Sequence, residues 1–108
     1  MKKTSKITLA DGKEYTLTTL NVGDLIEIEK KFGSIEINMG KVENIVYWIW
    51  LSIKEEHKQT TLEDLYKLID MPFIADGGVD KLFVALSSIN NLDKVSKNVE
   101  SPAEEKQV

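Results

Sequence analysis

The most apolar stretch of the chain, residues 45–53 (IVYWIWLSI), constrains the fold more than any other feature. Ser52 is its only polar residue. On a helix each residue turns by about 100°, so Leu51 lies about 180° and Trp48 about 240° from Val42, and the apolar side chains do not gather on one stripe. A helix that is apolar all round is buried on every side, inside its own domain or against a partner.

The composition narrows the class of protein. With 108 residues, of which 42% are hydrophobic, the chain is long enough for one domain with its own core. It has no cysteine, which fits a reducing compartment. The net charge of -4 argues against nucleic acid as a partner. No signal-peptide apolar region follows Lys2, Lys3 and Lys6, and residues 45–53 are far fewer than the ~20 that cross a bilayer, so we expect a soluble protein that does not bind membranes.

Residues 5–17 have the pattern of a β-hairpin. Apolar and polar residues alternate on both sides of a turn signal, Asp11-Gly12, which gives each strand one apolar face. A lone two-stranded hairpin is marginally stable in water, so we expect this face to pack on helices. The alternative is that an exposed edge of the sheet recruits another strand.

Local signals place the first two helices. Asn21, with Asp24 three residues later, predicts the start of a helix that should end at Gly33. Asn38 is then expected to cap the central apolar helix. That helix should run from about residue 39 to residue 57, because the residues that follow the apolar run are charged.

Two further helices are predicted in the second half of the chain. Either Thr60 or Thr61 has the spacing of a capping box at the start of the first one, and Pro72 is expected to close it. Asp76 is expected to cap the second, in which apolar residues recur at helical spacing.

Taken together, these elements predict an α+β fold that is mostly α. An N-terminal β-hairpin should pack on about four helices, one of which is the central apolar helix. We expect residues 1–92 to form a single α+β domain, with no internal repeat. Residues 93–108 contain too few large apolar side chains to offset the entropy cost of ordering them, so we expect a disordered C-terminal tail.

The sequence offers few candidates for catalysis or metal binding. His57 is the only histidine, and no nucleophile or second ligand stands at a suitable spacing, so we interpret it as a solvated residue near a helix end. Residues 76–78 (DGG) lack the Lys-Ser/Thr of a phosphate-binding loop. We therefore predict a protein that is not an enzyme, with no catalytic, cofactor-binding or metal-binding residues.

The two tryptophans of the apolar run are the residues of greatest interest. Trp48 and Trp50 would point about 200° from one another on a helix, and each would bury on the order of 200 Å² if fully enclosed. Two interpretations remain open. Either the other elements enclose both rings, or the small domain leaves an apolar patch for an oligomer interface or a client protein.

Four features of the chain, taken together, have the pattern of a known family. They are the N-terminal hairpin, residues 25–33 (LIEIEKKFG), the tryptophan-rich helix and residues 61–65 (TLEDL). In this combination the chain resembles the tail assembly chaperones of long-tailed bacteriophages and prophages. The resemblance implies a small, mostly helical, non-enzymatic protein that is made in the cytoplasm of the bacterial host and is absent from the mature virion.

The resemblance also implies partners. Proteins of this family bind the tape measure protein, whose apolar helices would otherwise aggregate before the tail tube forms around them; the tail tube protein is a further expected partner, and weak homo-oligomerisation is expected. Together with the apolar central helix, this predicts four partner-binding residues: Tyr47, Trp48, Trp50 and Leu51. Two other functions remain open, a structural self-assembling component of the phage tail and a small helical regulatory or interaction module.

Overall fold

A computed structural model describes residues 3–38 and 40–91 of the chain. These residues form a β-hairpin followed by five helices, so the fold is α+β and mostly helical, as predicted. The bounds of the elements are Thr4–Thr8 (β1), Glu14–Thr18 (β2), Val22–Phe32 (α1), Val42–Ile53 (α2), Leu62–Leu68 (α3), Met71–Ala75 (α4) and Gly78–Asn90 (α5). The predicted disordered tail, residues 93–108, lies outside the described residues, as does Met39, the predicted first residue of the central helix.

The structure contains the predicted hairpin. β1 and β2 are antiparallel, and Ile7 stands opposite Tyr15. The strands are joined by a tight loop in which the N–H of Leu9 donates to the carbonyl of Lys13 at 3.2 Å. Gly12 closes this loop at φ 79°, a left-handed conformation that a glycine adopts without steric cost.

Asp11 organises the hairpin loop. Its carboxylate accepts hydrogen bonds from the hydroxyl of Tyr15 (2.7 Å) and from the N–H of Lys13 (3.0 Å). Burial, together with the hydrogen bond to Asp11, raises the pKa of Tyr15 to about 12. Desolvation acts to raise the pKa of Asp11, but its hydrogen bonds and the charge of Lys13 outweigh this and hold that pKa below its ordinary value. The N–H of Ala10 also donates to the carbonyl of Leu68 (3.1 Å), which fastens the loop to the end of α3.

The predicted caps of α1 and α3 are confirmed. Asn21 and Asp24 form a complete capping box, with hydrogen bonds of 2.9 and 3.0 Å between each side chain and the other residue's N–H. Thr61 and Asp64 form the same capping box at the start of α3, so the cap is Thr61 and not the alternative, Thr60. Gly33 ends α1 at φ 84°, the left-handed conformation expected of a C-terminal glycine.

The predicted start of the central helix is wrong. The helix is shorter than expected, Val42–Ile53, and Lys41 precedes it without a side-chain cap. Asn38 belongs to the connector instead, where its N–H donates to the side-chain oxygen of Asn44 at 2.8 Å. Asn44 therefore reaches back from the first turn of α2 to hold the connector, the reverse of the predicted arrangement.

The predicted roles of Pro72 and Asp76 are also wrong, because a short helix separates α3 from α5. Asp70 caps α4 by accepting from the N–H of Phe73 (3.1 Å), and Pro72 lies in the first turn. Proline is tolerated there because the first N–H groups of a helix have no intrahelical acceptor. Asp76 ends α4, and Gly77, at φ 81°, immediately precedes α5.

The core forms around α2. The hairpin packs on α2 and α5, which pack on each other; α1 and α3 each pack on α2, and α4 packs on α5. None of the helices in residues 3–38 and 40–91 is long and apolar enough to span a membrane. The apolar side chains with no exposed surface are Leu17, Ile28, Ile45, Ile49, Ile53, Leu65, Leu82 and Leu86.

Hydrogen bonds fix the end of α2 to the outer edge of β2. The hydroxyl of Ser52 donates to the carbonyl of Thr18 (2.5 Å), and the hydroxyl of Thr18 donates to the carbonyl of Ser52 (3.1 Å). Beyond the helix, Nε2 of His57 accepts from the N–H of Thr16 at 2.9 Å. The prediction of a solvated histidine is therefore wrong, because His57 is half-buried and closes the edge of a strand.

Candidate partner-binding surface

The four predicted partner-binding residues divide between two sides of α2. Trp48 and Leu51 point into the core, where they are 2% and 3% exposed. Tyr47 and Trp50 lie on the other side and are half-buried. In this conformation only Tyr47 and Trp50 of the four present an appreciable surface that a partner could contact.

Trp48 contributes to the core by packing. Its indole Nε1 is buried and has no hydrogen-bond partner among residues 3–38 and 40–91. A buried donor without a partner costs on the order of 1–3 kcal/mol. The apolar contacts of the Trp48 ring therefore have to outweigh this cost.

The exposed side of α2 carries a row of aromatic rings that continues onto α1. Phe32, the last residue of α1, meets Tyr47 edge-on, with ring centroids 5.6 Å apart and an interplanar angle of 77°. Tyr47 in turn lies 5.7 Å from Trp50. These separations are within the range in which aromatic pairs attract one another, so the three half-buried rings stabilise one another.

Lys54 borders one end of the aromatic row. Its ammonium lies 5.7 Å from the centroid of the Trp50 ring and 3.1 Å from a carboxylate oxygen of Asp24. Asp24 also belongs to the capping box of α1, so it ties the start of α1 to the end of α2. The side chain of Asp24 is 10% exposed, so water screens this pair only in part.

Lys31 borders the other end. Its ammonium lies 5.3 Å from the centroid of the Tyr47 ring and 3.7 Å from Glu43 in the first turn of α2. The side chains of this pair are 36% and 60% exposed. The two ion pairs therefore brace α1 and α2 at opposite ends, in an antiparallel arrangement.

On its other flank α2 borders a hollow of about 350 Å³, shared with α3. Val42, Glu43 and Val46 line it from α2, and Tyr66 and Ile69 line it from α3. Val42 and Tyr66 are 43% and 46% exposed, although both are large and largely apolar. This flank of α2 therefore also has apolar surface without a partner in the described residues.

These residues form one surface, which we call the outer face of α2. On the helix, Val42, Trp50 and Tyr47 fall within an arc of about 140°, in which Val46 and Ile53 are buried. α1 lies along one border of this arc and α3 along the other, and the two make no contact with each other in the described part of the chain. The outer face comprises Phe32, Val42, Glu43, Tyr47, Trp50 and Tyr66.

Sequence reasoning missed four residues of the outer face, namely Phe32, Val42, Glu43 and Tyr66. Phe32 has the helical spacing of a core residue, and nothing local indicates that the end of α1 lies beside the middle of α2. The arrangement has one signal in the sequence. Lysines flank both ends of the aromatic segments, at Lys31 and Lys54, where their charge can lie over ring faces.

No group of three histidine, aspartate or glutamate residues in 3–38 and 40–91 is placed to hold a metal ion. Comparison with protein-family models, with curated proteins and with solved structures finds no match to this chain.

Proposed function

We propose that the outer face of α2 binds an apolar helix of a client protein. One observation carries the proposal: Val42, Tyr47 and Trp50 remain partly exposed, whereas the other large apolar side chains of α2 are buried. Tyrosine and tryptophan are enriched in the centres of protein interfaces, where they bury a large area at a small cost in side-chain entropy.

The shape of the outer face favours a helix as the client segment. A helix lying along α2 would contact it through residues spaced three and four apart, and α1 and α3 would border it on either side. α2 has 12 residues and so a length of about 18 Å, which matches roughly three turns of a client helix. The hollow beside Tyr66 can accept one larger apolar side chain of that helix.

The resemblance to tail assembly chaperones supplies the identity of the client in this proposal. The protein would act in the cytoplasm of the bacterial host as a non-enzymatic chaperone of the tape measure protein, holding its apolar helices until the tail tube protein assembles, and would be absent from the mature virion. Weak self-association through the outer face would cover Tyr47 and Trp50 until the client binds.

Co-expression with a candidate tape measure protein tests the proposal. Size exclusion with light scattering is measured on the protein alone and on the mixture, and the client is expected to become soluble and to co-elute. Trp50→Ala and Tyr47→Ala are expected to reduce the co-eluting client by roughly tenfold or more, as for residues at the centre of an interface. Met71→Ala is the matched control, because Met71 is a hydrophobic residue on α4 that is 72% exposed.

Two outcomes would contradict the proposal. If the client precipitates regardless while this protein remains a compact monomer, the outer face is not a client site. If Met71→Ala reduces co-elution as much as Trp50→Ala does, the binding is not specific to the outer face. Recovery of the protein in purified phage particles would favour the alternative function, a structural component of the tail.

A further inference from the structure

A second surface, different from the outer face, lies along the edge of β1 that does not pair with β2. The N–H of Thr16 donates to His57, so it points away from β1. Lys6 stands opposite Thr16. Two residues that are opposite one another in an antiparallel pair either both bond across the ladder or both point outward, so the backbone groups of Lys6 point away from β2. Because this direction alternates along a strand, the N–H and C=O groups of Thr4, Lys6 and Thr8 all face outward from β1.

The two edges of the hairpin differ in how these outward groups are satisfied. On β2, His57 accepts from Thr16, and Ser52 donates to the carbonyl of Thr18. On β1, the outward backbone groups have no hydrogen-bond partner in residues 3–38 and 40–91. One edge of the sheet is therefore closed by α2 and the segment after it, whereas the other is open as far as the described residues are concerned.

The open edge borders a groove of about 720 Å³. Four consecutive residues of β1, Ser5 to Thr8, line one wall. Because consecutive strand residues point to opposite faces of a sheet, a groove that meets all four runs along the edge of the strand and not along one face. The size lies within the range of pockets that enclose a bound ligand.

The opposite wall of the groove is one stripe of α5. Lys81, Val84, Ala85 and Ser88 line it at helical spacing, and Val84 is 64% exposed. Ala85, in contrast, is buried. An added strand would therefore find backbone partners on β1 and an apolar side chain, Val84, on α5.

Phe73 lines the groove near the start of α5, and its position depends on a glycine. A Cβ on Gly78 would overlap the Phe73 ring, so only glycine at position 78 lets the ring pack against the first turn of α5. Leu20 donates to Asn90, which places the end of α5 near the end of β2, so β1 and α5 are antiparallel. Phe73 therefore lies toward the Thr8 end of the groove, where Asp76 and Asp80 also line it.

The charges on the edge decide what can occupy it. Lys6 stands at the middle of β1, and its side chain is exposed. Pairing of β1 with β1 of a second copy about Lys6 would bring two lysines together, and like charges opposite one another on a sheet repel. A strand with an acidic residue opposite Lys6 would be attracted instead. Its neighbouring residues would face α5, where Val84 favours apolar side chains.

We infer that the open edge of β1 and α5 form a strand-addition site for an extended segment of another protein with the pattern apolar–acidic–apolar. The bound segment extends the hairpin to three strands, with its backbone paired to Lys6 and Thr8, its acidic side chain beside Lys6 and its apolar side chains toward Val84. This site is separate from the outer face of α2 and does not depend on the proposed function.

Amide hydrogen exchange on the full chain, with the peptide Thr-Val-Glu-Val-Thr as the probe, tests the inference. In the free protein the amides of Lys6 and Thr8 are expected to exchange freely, whereas the amide of Ile7, which pairs with β2, is protected. Added peptide should slow exchange at Lys6 and Thr8 by roughly fivefold or more, the effect of one hydrogen bond each, and leave Ile7 unchanged. The peptide Thr-Val-Lys-Val-Thr is the matched control and is expected to bind several-fold more weakly.

Two pairs of variants separate the backbone contacts from the side-chain contacts. Lys6→Pro removes an outward N–H without removing a bond to β2, whereas Lys6→Ala keeps that N–H. We expect Lys6→Pro to abolish binding of both peptides, and Lys6→Ala to bind both but lose the preference for the acidic one. Val84→Glu should weaken binding of the acidic peptide, while Val22→Glu, on α1 at a residue that is 71% exposed, should not. If Lys6→Pro does not fold, the comparison of peptide binding by Val84→Glu and Val22→Glu tests the inference.

Four results would overturn the inference. Protection of Lys6 and Thr8 in the free chain at every concentration would mean that the chain itself covers the edge, with residues 92–108 as the segment to examine. Protection that grows with protein concentration would mean that a second copy occupies it. No change in these amides at millimolar peptide, or equal binding by Val84→Glu and the unmodified chain, would mean that the groove is not a strand-addition site.

Discussion

The two tryptophans of α2 have the same side chain and stand two residues apart, yet they belong to different parts of the molecule. Trp48 is 2% exposed and packs inside the core, with its N–H unpaired among the described residues. Trp50 is half-buried, and Tyr47 and Lys54 lie against its ring. A turn of about 200° around one helix thus separates a residue that holds the fold together from one that is available to a partner.

The two sides of α2 are also held in place by different forces. On the inner side the hairpin and α5 cover the helix, and the buried hydrogen bonds between Ser52 and Thr18 fix it. On the outer side, α1 contributes one fully buried apolar side chain, Ile28, and is otherwise joined to α2 by ion pairs and by contacts between aromatic rings. The inner side should therefore dominate the free energy of unfolding, and the outer side should tolerate change.

The largest change in stability is expected when each indole ring is removed. Trp48→Ala is expected to lower the free energy of unfolding by about 3–5 kcal/mol, because it empties a packed core position. Trp50→Ala should cost less than half as much. Trp48→Phe should be milder than Trp48→Ala, because it keeps an aromatic ring in the core and leaves a smaller cavity. Urea denaturation measures all three. Equal losses for Trp48→Ala and Trp50→Ala would show that the two sides do not differ.

Which tryptophan faces outward could not be predicted from the sequence, because a helix that is apolar all round does not indicate its own rotation. The rotation is set by elements far away in the chain, which pack on α2 so that Trp48 is buried and Trp50 remains half-buried. The sequence predicted the candidate surface as four residues, and the structure exposes Tyr47 and Trp50 of that set.

Other features of the fold were predictable to the extent that they are local. The capping boxes at Asn21 and Thr61 depend on residues three apart, so their spacing alone indicates them. The contact of His57 spans 41 residues and has no local signal. The prediction for Pro72 was wrong for another reason. Proline is favourable both in the first turn of a helix and in the segment after a helix, and the sequence does not distinguish these two positions.

The next test concerns the hydrogen bonds that hold the inner side. Ser52→Ala removes the hydroxyl that donates to Thr18, leaving a buried carbonyl short of a donor, and is expected to cost about 1–2 kcal/mol of stability. Ser88→Ala is a suitable control, because it makes the same change on α5 at a residue that is exposed. The difference in urea midpoint between the two variants measures the effect. If Ser88→Ala costs as much, the loss comes from the helix and not from the bond to Thr18.

A smaller effect on the free energy of unfolding is expected from pH, through Tyr15 of the hairpin that covers the inner side. The pKa of Tyr15 is raised from 10.0 to about 12, so the fold favours the protonated phenol. Its contribution is fully present below pH of about 10 and is lost as the pH rises toward 12. The ring is buried but its hydroxyl reaches the exposed Asp11, and with screening by water the loss is about 1 kcal/mol. Thermal unfolding should show this alkaline loss in the unmodified chain, and Tyr15→Phe should lack it.

The smallest effects should come from the ion pairs at the two ends of the outer side, and they should differ from each other. Lys54→Met leaves Asp24, whose side chain is 10% exposed, without its cation and is expected to cost about 0.5–1 kcal/mol. Lys31→Met breaks a pair whose partner, Glu43, is 60% exposed, and should cost close to nothing. Methionine keeps the apolar stem of each lysine over its ring, so the comparison isolates the charge. High salt should shrink the cost of Lys54→Met only slightly, because a half-buried pair is poorly screened. A larger cost for Lys31→Met than for Lys54→Met would mean that burial does not set the strength of these pairs, and that α1 is held to α2 mainly at the Glu43 end.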